Sequence, residues 1–132
     1  MKWACVVGGV LWMGAPAASA SDVCPVPPGV VQAALPSGVP AELSKAVGEI
    51  ALPGEPFDTT DVYVKGHKHR RYLFVWNIGK RWIVATEQGG IALHTMVFVY
   101  ELRKEGTTAA LIEKRITFPE GVCGAATRLA RR

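Results

Sequence analysis

The sequence predicts an α+β fold dominated by a curled antiparallel sheet of about five strands, a meander or half-barrel. One short N-terminal helix and a proline-rich strap complete it. Three observations carry this expectation. Apolar, β-branched and aromatic residues alternate in short runs between residues 61 and 118. The breaks between runs are short and hold glycine, which suits antiparallel neighbours and leaves no room for parallel crossovers. The clearest helical periodicity comes before the strands.

The strap comes first. Residues 21–40 hold Pro25, Pro27, Pro28, Pro36 and Pro40. Proline fixes φ and removes a donor, so this stretch should run extended rather than helical. Val26, Val30, Val31 and Leu35 give it apolar residues with which to lie over a core. Pro40 then stands at a tolerated helix start. Leu43, Ala46, Val47 and Ile50 recur at helical spacing, with Pro53 and Gly54 as the expected stop.

Strands follow. A short one is expected at Val62–Lys65. Arg71–Ile78 places Tyr72, Phe74 and Trp76 on one face, with Leu73, Val75 and Asn77 on the other. Gly79 can supply the positive φ of a tight turn. Arg81–Glu87 returns with Trp82 and Val84 opposite Ile83 and Ala85, and Gln88-Gly89-Gly90 breaks it. Thr95–Leu102 and Ala109–Phe118 complete the meander around a turn at Gly106. Several strands are apolar on both faces, which a sheet with one wet face would not be. Residues 41–127 form a single globular domain in this reading, and 128–132 a mobile basic tail.

The chain opens like an export signal. Lys2 precedes an uncharged apolar stretch from Trp3 to Gly14, and Ala18-Ser19-Ala20 has the small-x-small pattern of a cleavage site. Gly8, Gly9, Gly14 and Pro16 interrupt the run, which argues for a leader spanning residues 1–20 rather than a membrane anchor. Cleavage there removes Cys5 and leaves Cys24 and Cys123. In an oxidising compartment the two are expected to pair. The reading is an exported protein, periplasmic or secreted, with no membrane span.

Charge is mildly basic. The whole chain carries +4, and without Lys2 fourteen basic residues face eleven acidic ones. A nucleic-acid binder usually has a stronger and more segregated basic face, so no nucleic acid is expected. The densest polar chemistry is Lys65-Gly66-His67-Lys68-His69-Arg70-Arg71. There Lys68, Arg70 and Arg71, with Arg81 nearby, make a basic contact patch. His67 and His69 share a face if extended and are the candidate metal ligands, although a tight site needs three or four. Tyr72, Trp76 and Trp82 form a candidate aromatic contact face, with cross-strand stabilisation as their alternative role.

Catalytic signatures are sparse. No G-x-S-x-G elbow, HExxH, P-loop or dinucleotide fingerprint occurs. Asp58 and Asp61 near the histidines could supply acid–base chemistry, a combination common by chance at this size. No cofactor is implied. The leading expectation is a small non-enzymatic binding module, of inhibitor or immunity type, that engages a protein partner in the cell envelope or outside the cell. Its alternatives are a periplasmic small-ligand or metal-binding protein and a small hydrolase.

Overall fold

The computed structural model describes residues 23–132; the leader read at 1–20, with Cys5, lies outside the described residues. An unclosed five-stranded antiparallel sheet runs in the order β1 (Val31–Gln32), β2 (Arg70–Ile78), β3 (Arg81–Gln88), β4 (His94–Arg103), β5 (Thr108–Thr117). Helix α1 spans Ala41–Val47. Helix α2 spans Val122–Ala130, after a single 3-10 turn at Pro119–Gly121.

The sheet is apolar on both faces because each face has its own cover. On one face, Phe74, Trp76, Ile83, Ala85, Val97 and Val99 pack with Val122, Ala126 and Leu129 of α2 and with Cys24. On the other, Tyr72, Val75, Val84, Met96, Phe98 and Tyr100 pack with Leu43 and Val47 of α1 and with Ile50. The proline-rich segment serves both clusters. Val26 and Val30 lie against the first. The chain then pairs with β2 through β1 and delivers Ala33, Leu35 and Val39 to the second. The Cys24–Cys123 disulfide ties this segment to α2 across 99 residues of chain, with Cα atoms 5.4 Å apart.

Four local expectations change. Val62–Lys65 is irregular loop leading into a turn at Lys65-Gly66, not a strand, and the fifth strand is β1 instead. The β propensity of Val62, Tyr63 and Val64 yields to local bonds: the Val64 N–H goes to the Asp58 carboxylate and the Val64 carbonyl accepts from His67 N–H. α1 stops at Gly48, whose φ of 81° ends the turn before Pro53 is reached.

A register shift between Tyr72 and Phe74 breaks the alternation of β2. Tyr72 therefore shares a face with Val75, while Phe74 and Trp76 face the other way. Finally, the C-terminal segment is helical to Ala130, so Arg128 lies on α2 rather than in a tail. Val122, Ala125, Ala126 and Leu129 carry its buried stripe at i, i+3, i+4 and i+7.

Candidate functional site

One corner of the sheet, where β2 begins, β3 ends and β4 begins, is built from two loops, residues 58–69 and 89–93. Asp58 organises it. It is buried, and its Oδ1 accepts the Val64 N–H at 3.0 Å while its Oδ2 sits 2.7 Å from His69 Nδ1. His67 Nδ1 stands 3.7 Å from Oδ1. Asp58 is held there by backbone bonding of its own N–H to the Lys68 carbonyl. Gly89 closes the corner from β3: a Cβ at that position would collide with the backbone of Asp58 and Thr59.

The electrostatics follow from those contacts. The Val64 N–H, then the hydrogen bond and charge of His69, hold the Asp58 carboxyl below its ordinary range against the opposing effect of burial. Because the folded value is lowered, Asp58 stabilises the fold fully above about pH 4 and loses that contribution as pH falls through the folded value. Asp58→Asn should therefore be less stable than the parent at pH 7, with the difference shrinking by pH 2.5. Urea unfolding midpoints at the two values check this.

With Nδ1 engaged by Asp58, the His69 side chain remains more than half exposed, and its ring centroid lies 4.3 Å from that of Tyr63. A cavity of about 140 Å³ adjoins the pair, walled by Thr60, Asp61, Gln88 and Gly90 among others. Around this corner Val62, Tyr63 and Val64 of one loop and Ile91 and Leu93 of the other are exposed; Tyr63 is 74% exposed and Ile91 fully so. Lys65 and Lys68 are exposed on the first loop.

The residues singled out from sequence separate into distinct environments. Arg70 donates to the Val47 carbonyl at 2.7 Å, closing the end of α1. Arg81 reaches the Leu129 and Ala130 carbonyls at 3.5 and 3.4 Å, doing the same for α2. Arg71 pairs with Glu87 and lies over the Phe57 ring at 4.4 Å. Of the four basic residues, Lys68 is the exposed one.

Tyr72 and Trp76 are buried on opposite faces, and Trp82 is partly buried on the Tyr72 side, so the three do not make one surface. His67 and His69 turn to the same carboxylate, and His94 Nδ1 contacts the Ala92 carbonyl. Among the described residues no group of three or more His, Cys, Asp and Glu side chains gathers to hold a metal ion.

What sequence reasoning missed is the role of Asp58 as the hub and the apolar tips of both loops. The Asp58-to-His69 spacing was visible but carried no weight without the turn that folds it back. No family model, curated protein or solved structure matches this chain.

Proposed function

We propose that this is an exported, non-enzymatic binding module that engages a protein partner through the loop corner around Asp58. The observation that carries the proposal is the exposure of Val62, Tyr63, Val64, Ile91 and Leu93 on two loops that pack together. A single exposed apolar side chain is ordinary, whereas a group of them on adjoining loops marks a contact surface. Loops held by a rigid sheet are also where recognition residues concentrate. The expected partner presents an apolar recess with carboxylates at its rim, matched to Lys65 and Lys68.

The disulfide, the short leader-like N-terminal sequence and the mild basic excess all suit a protein that works outside the cytoplasm. An inhibitor or immunity-type role fits this surface, with the tips filling a cleft on the partner and Arg70, Arg71 and Arg81 confined to internal support. Among the described residues no helix is long and apolar enough to cross a membrane.

The test is capture from cell-envelope extract with the parent protein and with Tyr63→Ser/Ile91→Ser. The proposal expects one stoichiometric partner with the parent, lost in the variant while its melting temperature stays within a few degrees. Equal capture by both proteins would refute it.

One observation favours a second reading. Asp58 engages His69 Nδ1 while the His69 ring lines a small cavity, which is the arrangement of an oriented general base. A hydrolytic activity abolished by His69→Gln would support that reading over a purely binding role.

A further inference from the structure

A different corner, where β5 meets α2, gathers more positive charge than its carboxylates balance. Glu113 and Arg115 stand opposite Val99 and Val97, on the face that α2 covers. Arg128 lies on α2 and Arg132 follows its end. Arg115 pairs with Glu113, and Arg132 reaches the same carboxylate at 3.4 Å. One carboxylate thus serves two guanidinium groups, and among the described residues Arg128 has no ion-pair partner.

These three arginines line a cleft of about 340 Å³ between the end of β5 and α2, which contributes Ala125 and Leu129 to its wall. Arg128 also borders a second hollow, of about 550 Å³, on its other side. That hollow is shallow and open, lined by residues 25–28 on one side and by Cys123, Gly124, Thr127, Arg128 and Arg131 on the other. Gly124, one helical turn before Arg128, also lines this hollow, and a Cβ there would stand 3.3 Å from Nη1.

We propose that the two hollows form one binding site for an amphiphile: a phosphate or carboxylate head carried on an apolar body. Guanidinium groups are planar, permanently charged and weakly hydrated, and their paired N–H donors match the spacing of oxyanion oxygens. Arg128 and Arg132 would take the head, with Arg115 shared between the head and Glu113. The proline-lined hollow takes the apolar body, whose burial a bare inorganic anion cannot exploit. Both volumes lie in the range of small-ligand pockets, and an apolar wall with a few convergent polar groups is their usual composition. The site is separate from the loop corner around Asp58 and does not depend on the reading of that corner.

The experiment titrates the oxidised protein by calorimetry with decyl phosphate below its micelle concentration, with inorganic phosphate, and with phosphatidylglycerol vesicles. Decyl phosphate should bind saturably, at least tenfold more tightly than inorganic phosphate. Arg128→Ala should weaken that binding at least tenfold while leaving the melting temperature unchanged, and Lys104→Ala, in the β4–β5 turn, should leave the affinity alone. Vesicle binding that is also lost in Arg128→Ala would support the site and identify a lipid headgroup as one source of the anion. Equal affinity for the two phosphates, undiminished binding by Arg128→Ala, or binding to vesicles alone would overturn the proposal.

Discussion

Replacing Cys24 and Cys123 together by serine should lower the stability of the oxidised protein by about 4–5 kcal/mol in the chain-entropy account of a loop near 100 residues. The two cysteines are 99 residues apart, so the bridge closes nearly the whole described chain. Single domains have a total stability of about 5–15 kcal/mol, and the double variant is therefore expected close to its unfolding transition at 37 °C. The loss has a local component as well. Cys24 is part of the buried cluster beneath α2, and the bond holds the proline-rich segment against that helix. Urea titration of the parent and Cys24→Ser/Cys123→Ser should show a large fall in midpoint. A midpoint shift worth less than 1 kcal/mol would mean that packing alone holds the two ends of the chain.

Trp76→Ala is expected to cost about 3–5 kcal/mol, the range for removing a large buried aromatic side chain. Trp76 is fully buried in the cluster between the sheet and α2, where its ring stacks on Phe74 with centroids 4.5 Å apart. Its indole N–H has no hydrogen-bond partner among the described residues. Trp76→Phe should consequently be much milder, because it keeps ring contact and removes a buried donor that gains nothing. Thermal unfolding of the two variants separates these effects. Equal destabilisation by both would contradict this, because it would mean that the part of the indole lost in both variants outweighs the phenyl-sized contact that Phe retains.

Much of the architecture was legible because the strands obey period two and their breaks are chemically explicit. β3 and β4 sort their side chains between two faces as the alternation predicts, with Ile83, Ala85, Val97 and Val99 on one and Val84, Met96 and Phe98 on the other. Apolar residues on both faces required cover on both, yet only α1 was read as a helix. The stripe of α2 was present in Val122, Ala125, Ala126 and Leu129. Its small side chains give a weak helical signal, and Arg128, Arg131 and Arg132 gave its last turn the character of a basic tail.

β2 escaped for a different reason. A bulge costs one residue of register, and nothing in Tyr72-Leu73-Phe74 announces it. The aromatic face expected there was consequently divided between two cores.

The basic cluster shows how sequence proximity differs from shared purpose. Arg70, Arg71 and Arg81 are close in sequence, but two of them cap different helices and the third pairs with Glu87. Each interaction joins residues at least 16 positions apart, beyond the reach of a local pattern. The loop corner was hidden in the same way. Val62, Tyr63 and Val64 carry strand propensity, and local bonds, from the Val64 N–H to Asp58 and from the His67 N–H to the Val64 carbonyl, fold them into a loop instead.

Hydrogen exchange of the protein with and without its captured partner locates the contact surface. New protection is expected in residues 59–69 and 89–93, around Tyr63 and Ile91, with β5 unchanged. Protection confined instead to β5, where Leu111, Ile112 and Ile116 are exposed on the open edge of the sheet, would contradict that placement.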